Sequence, residues 1–234
     1  MLARRIKVSD SLLILTKKLR CNFHGVCPLD CLIETGTIMT TPIPNRPSGV
    51  VLGDKAAQIT IDAFVDIQCP HSRTIWPTLL EVMKHYEQAS VSLKVHLITL
   101  SNHRQAWDMS LGLFALAEGN ATTFYNFATF LYERQDEFYN AAFMHKTHDD
   151  LRQLIADKAE QHLTIDRSKF LDRMNDNDIY TLARTPIRYA ATKSVWATPT
   201  VFINNGGNVP VDHLSTLADW QKVINPLLGT GVNR

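Results

Sequence analysis

The sequence predicts an α/β fold, with a mixed sheet of about four strands, helices on both faces and a long helical insertion. Three observations predict it. Apolar residues alternate at period two in Ile59–Ile67 and again in Val91–Leu100, with one helical run between them. From 104 to 190 the spacing is helical, with little strand signal. Strand signal returns at Thr200–Asn204, followed by a glycine turn and a last helical run.

Residues 1–38 differ in composition from the rest. Residues 41–49 hold Pro42, Pro44, Pro47 and Gly49, which reads as a linker or extended arm, and the boundary is placed at 49. In the first strand Ile59, Ile61, Ala63, Val65 and Ile67 share one face, and Thr60, Asp62, Phe64 and Asp66 share the other. A helix opening at Pro70 carries Ile75, Leu79, Leu80, Met83 and Tyr86, with Pro77 inside it as an expected kink. Val91, Leu93, Val95 and Leu97 mark the second strand, and these elements together form a βαβ unit over 50–103. The insertion, 104–192, is expected as helices over Gln105–Glu118, Thr122–Arg134, Asp149–His162, Asp166–Asn175 and Asp178–Thr192. Leu111, Phe114 and Ala115 form one candidate core stripe, and Phe124, Phe127 and Leu131 another. In 193–234, Gly206-Gly207 is expected to turn Thr200–Asn204 into a hairpin with Val209–Val211. Leu214, Leu217, Trp220, Val223 and Leu227 mark the closing amphipathic helix.

The chain has 234 residues, enough to bury a core without staples. A net charge of +1 gives no ground for a nucleic-acid partner, and no apolar run is long enough to span a membrane. Residues 1–20 hold six basic side chains and the single acid Asp10, which resembles a mitochondrial transit peptide. A disordered extension, or a start at Met39, would read the same way. Cys21, Cys27 and Cys31 lie in this leader and leave Cys69 as the lone sulfur of the folded part, so no disulfide framework is expected there. An intracellular setting, cytoplasmic or mitochondrial, is the expectation. The spacing of Cys21, Cys27 and Cys31, even with His24, is irregular for zinc, and no metal site is assigned. Asn120-Ala121-Thr122 matches a glycosylation pattern but carries no weight without a secretory signal.

The chemistry concentrates at Cys69-Pro70-His71-Ser72, where a strand gives way to a helix. Unpaired N–H groups at a helix start favour an anion, so the setting predicts a lowered thiol pKa and a reactive thiolate. Pro70 suits the first helical position. A partly charged His71 would stabilise the thiolate further. Ser72 stands where a dithiol motif has its second sulfur. Its hydroxyl is expected to hydrogen-bond the thiolate, but it has no thiol with which to release a mixed disulfide. Pro199, opening a strand beside a reactive site, is a candidate cis-proline. His103 reads as a surface histidine.

Three segments resemble the thioredoxin superfamily, and within it the DsbA-like branch. They are Gly53-Asp-Lys-Ala-Ala-Gln-Ile59-Thr-Ile61, Phe64-Val-Asp66-Ile-Gln-Cys69-Pro70-His71 and Ala197-Thr198-Pro199-Thr200-Val-Phe-Ile203. The resemblance spans roughly 50–225. It implies a thioredoxin fold interrupted by a helical domain, with Pro199 packed against Cys69. It also implies that the Thr198 backbone pairs with a bound thiol peptide or glutathione. Two positions depart from the family: Ser72 replaces the resolving cysteine, and Ala63 replaces a buried acid. Asp62 is one residue away and faces the other side of the strand.

The expected function is thiol–disulfide exchange through a single nucleophile, Cys69, with an external thiol resolving the mixed disulfide. Such an enzyme needs an accessible sulfur. Its partners would be protein thiols and disulfides or glutathione, with no resident cofactor and glutathione at most a co-substrate. One alternative is a redox-inactive peptide-binding or chaperone-like module. Another is a glutathione transferase resembling the kappa class, which places serine where Cys69 stands.

Overall fold

In the computed structural model residues 47–206, 209 and 211–229 are described; all lie in a unit that runs from Pro44 to Arg234. The leader cysteines, His24 and Met39 lie outside these residues, as do Gly207, Asn208 and Pro210 of the expected final turn.

The two alternating runs pair as parallel strands, β2 (Ile59–Val65) and β3 (Val91–Leu97), in register Ile59↔Val91 through Val65↔Leu97. The helix between them, α1, spans Pro70–His85 with Pro77 inside it and undivided. A parallel pair needs such a crossover, and the right-twisted strand places it on one sheet face. Ile59, Ile61, Ala63 and Val65 are buried there with Trp76 and Leu79 of α1.

The fourth strand differs from expectation. It is β1 (Val50–Leu52), antiparallel to β3, and the sheet order is β1-β3-β2-β4 with β4 (Thr200–Ile203) antiparallel to β2. Three residues between Gly49 and Gly53, both with positive φ, are too few to show a period. Gly49 is also needed for close approach, since a Cβ there would lie 2.6 Å from Lys94 Cγ. Val209 and Val211 are not strand; Val209 N–H gives Val201 O one bond of 3.5 Å.

The insertion follows its predicted helices closely: α2 (Ala106–Ala117), α3 (Ala121–Glu133), α4 (His148–His162), α5 (Arg167–Arg173) and α6 (Asn177–Thr192). Both apolar stripes, including Leu111 and Phe127, are buried in the main core. Asn120 caps α3 by accepting Thr123 N–H at 3.0 Å, a structural use of the glycosylation-like triplet. Two 3₁₀ turns, Gln135–Phe138 and Asn140–Phe143, follow α3 and bring polar side chains back to the sheet. The last helix, α7 (Leu217–Gly229), buries Trp220 and Ile224. Leu214 precedes it and is exposed rather than part of its apolar face.

The second sheet face is covered as well. Phe64, Ile98 and Ala190 form a smaller core with Tyr189 and Phe202, so α6 packs over Asp62 and His96. Asp62 Oδ1 lies 3.0 Å from His96 Nε2 and 3.7 Å from Lys94 Nζ, and Ser48 Oγ lies 2.8 Å from His96 Nδ1. Burial outweighs the Asp62 contact and holds the His96 imidazole below its ordinary pKa. Asp62 is thus engaged in this cluster, on the face opposite Ala63.

Candidate active site

Cys69 is the N-cap of α1, with φ −76° and ψ 123°. Its carbonyl accepts the Arg73 N–H at 3.0 Å, while its side chain makes no capping bond. The thiol donates instead to Thr198 O at 3.4 Å. The Thr198–Pro199 peptide is cis, and β4 begins at the next residue. Cys69 and Thr198, 129 positions apart, therefore meet across the sheet end. The Thr198 hydroxyl is buried and has no hydrogen-bond partner among the described residues. Cys69 is only 3% exposed. Cys69 is covered, where the sequence predicts an accessible sulfur, and its thiol is engaged by the Thr198 carbonyl.

Pro70 occupies the first helical position. His71 is exposed, and the contact that orients it is the ring of His213, edge-on at 4.2 Å between centroids. Ser72 is fully buried, but its hydroxyl accepts the Asp66 N–H at 3.2 Å and makes no hydrogen bond to Cys69. Expected as a thiolate donor, it serves the strand–helix junction instead. The reason is position: one turn into α1, its side chain faces back under the loop that carries Asp66.

Asp66 organises that loop. Its Oδ1 accepts Gln68 N–H at 2.8 Å, and its Oδ2 accepts Leu100 N–H at 2.8 Å and contacts His103 Nδ1 at 2.9 Å. His103 is thus not a surface histidine; it is the partner of a fully buried carboxylate. An unpaired carboxylate there would be costly to bury, which accounts for the histidine.

The insertion supplies the rest of the frame. Gln135, fully buried, donates through Nε2 to Ile67 O at 2.9 Å and to Cys69 O at 3.0 Å. Tyr139 O–H donates to Gln135 Oε1 at 2.7 Å. Tyr132 O–H donates to Asp66 O at 3.2 Å. Burial, reinforced by the charges of Asp66 and Cys69, holds the Tyr132 phenol well above its usual pKa, so it stays a neutral donor. Gln68 Nε2 donates to Gln105 Oε1 at 2.8 Å and to Asn140 Oδ1 at 3.1 Å. The loop Ile67–Cys69 is therefore held by polar side chains from the helical insertion. Sequence patterning singled out none of these, because a polar residue after a helix has no periodic signature.

A cysteine at the start of the helix after the first central strand, facing a cis-proline loop, defines a thioredoxin-type site on a fold interrupted by helices. The family model described as Thioredoxin matches residues 45–226, and the chain belongs to this family. Its fold is that of the DsbA-like branch. BdbD from Bacillus subtilis, in its oxidised form, superposes with a TM-score of 0.61 at 15% identity, covering 77% of this chain and 93% of that one. Wolbachia pipientis alpha-DsbA1 gives 0.61 at 18% identity, covering 80% and 93%. Chlamydia trachomatis DsbA gives 0.61 at 15%, covering 82% and 98%. No curated protein matches the chain. Among the described residues no group of three or more metal-ligating side chains occurs, and no helix is long and apolar enough to cross a membrane.

Proposed function

We propose that this protein is a thiol–disulfide oxidoreductase that works through Cys69 alone. The observation that supports it is the pairing of the Cys69 thiol with the Thr198 carbonyl at a helix start, with a buried serine in place of a second sulfur. The Cys69 thiolate attacks one sulfur of a substrate disulfide. A mixed disulfide forms at Cys69, and the other substrate sulfur leaves as a thiolate that takes up a proton. An external thiol, such as glutathione, then attacks the mixed disulfide and returns Cys69 to the thiolate. Thr198 and Pro199 border the bound disulfide, and the Thr198 carbonyl exchanges its thiol donor for a backbone N–H of the substrate.

The test is peptide mapping of the full chain after exposure to glutathione disulfide. A glutathione adduct on Cys69 supports the reading, and its loss in Cys69→Ser, with a native melting curve, completes it. A chain that takes no adduct at Cys69 refutes it. A second reading is favoured by the near-complete burial of Cys69: a peptide-binding module built on the same groove. That module would keep its peptide affinity in Cys69→Ser.

A further inference from the structure

Thiol–disulfide exchange leaves a thiolate that needs a proton, and the site lacks the usual suppliers. Ala63, where the family resemblance implies a buried acid, is a buried alanine. Asp62 is on the opposite face, bound to His96 and Lys94. Both Asp66 oxygens are taken by Leu100 N–H, Gln68 N–H and His103. Tyr132 stays neutral and donates inward to Asp66 O.

At the mouth, two imidazoles meet. His71 lies two residues after Cys69 on the first turn of α1, and His213 comes from the turn before α7. Their rings cross at 63° with centroids 4.2 Å apart. Edge-to-face contact of this kind is favourable for the rings, whereas a proton on each would place two positive charges at contact distance. The turn that presents His213 is fixed. Asp212 Oδ1 accepts Leu214 N–H at 2.8 Å, and Ser215 Oγ accepts Asp212 N–H at 2.8 Å. The Asp212 carboxylate is held below its usual pKa, first by Leu214 N–H and with a contribution from His213, so it stays charged beside that ring. The charged group shown to face the pair is Asp212, on the His213 side, and Cys69 lies two residues before His71 in the chain.

Resting on the single-cysteine reading above, we propose that His213 acts with His71 as one proton-carrying pair. The pair gives its proton to the thiolate expelled from the substrate disulfide. In the balanced step the Cys69 sulfur–substrate sulfur bond forms and the substrate S–S bond breaks. The electron pair goes to the leaving sulfur, and one imidazolium of the pair transfers its proton to it. The pair then regains a proton from water. His213 acts through His71 and is a positioning residue. Asp212 fixes the turn that presents His213 to His71.

The test compares two disulfides on the full chain, with adducts at Cys69 quantified by peptide mapping against time. Glutathione disulfide expels an alkyl thiolate that needs a proton, whereas 5,5′-dithiobis(2-nitrobenzoate) expels a weakly basic aryl thiolate that stays ionised. His213→Gln should slow the glutathione arm by about ten-fold or more, less than the roughly 10²–10⁴-fold of a direct proton donor because His213 acts through His71, and change the nitrobenzoate arm less than about two-fold. His213→Phe keeps a ring against His71 and should show the same split. In His71→Gln the further loss from His213→Gln should vanish, because the two act as a unit. Equal slowing of both arms, or of neither, overturns the His213 role while Cys69 chemistry stands. A wild-type chain that reacts with neither disulfide at Cys69 overturns both. Melting curves of the variants separate these outcomes from misfolding.

Discussion

Gln135→Met is the most direct probe of how the insertion holds the reactive loop. The substitution keeps length and volume but removes three hydrogen bonds: those to Ile67 O and Cys69 O, and the one from Tyr139 O–H. Cys69 O retains Arg73 N–H, and Tyr139 is only half-buried, so their losses are modest. Ile67 O is left buried and unpaired. Two lost bonds at about 0.5–1 kcal/mol each and one orphaned carbonyl at about 1–2 kcal/mol give about 2–4 kcal/mol. For a domain of this size that corresponds to a melting point about 4–16 °C lower. The loop should also open locally, exposing the 3%-exposed Cys69 and speeding its alkylation in native buffer. Thermal melting by circular dichroism and timed iodoacetamide labelling at Cys69 read the two effects. A loss under about 0.5 kcal/mol with unchanged labelling would refute the clamp, because the bonds would then be idle.

Gly112→Ala should destabilise by about 1–3 kcal/mol despite alanine's better helix propensity, because its Cβ would lie 2.4 Å from Ile155 Cγ2 where α2 meets α4; urea unfolding reads it. Stability should also fall with acid through His96. Burial lowers its folded pKa below the unfolded value of about 6.5, so the unfolded chain takes up the proton first and the native state loses at most about 1.4 kcal/mol per pH unit below that point. The drop in urea midpoint between pH 7.5 and pH 5.5 should shrink in His96→Gln, and an unchanged drop would mean other groups carry it. Ser72→Cys should cost about 1 kcal/mol through the lost Asp66 N–H bond yet release a glutathione adduct without added thiol, which mass spectrometry would detect as a second, intramolecular disulfide species.

Where the chain is periodic, the fold is legible from it. The helices at 106–192 were located to within a residue or two at most ends, because apolar stripes such as Phe124, Phe127 and Leu131 repeat at helical spacing and all face the core. β1 was not, since three residues carry no period, and Val209 and Val211 mimicked a strand that neither of them joins. The polar strand face misled in another way. Asp62 and His96 look solvent-facing in sequence, but α6 covers them and they pair through Asp62 Oδ1, leaving Oδ2 buried without a partner among the described residues. The helix-start place of Cys69 and Pro70 and the cis bond at Pro199 were legible because helix-start and proline chemistry is local, whereas Thr198 came only with the family resemblance. His103, Gln135, Tyr132 and His213 were not. Each acts through a contact tens of residues away along the chain, and only the folded backbone brings it there.

The most direct measurement is the release of a glutathione adduct preformed on Cys69, followed by intact mass at increasing concentrations of added glutathione. Single-cysteine exchange predicts an adduct that persists without thiol and is released at a rate proportional to thiol concentration. Release that ignores added thiol, or a Cys69 that accepts no adduct at all, would contradict it.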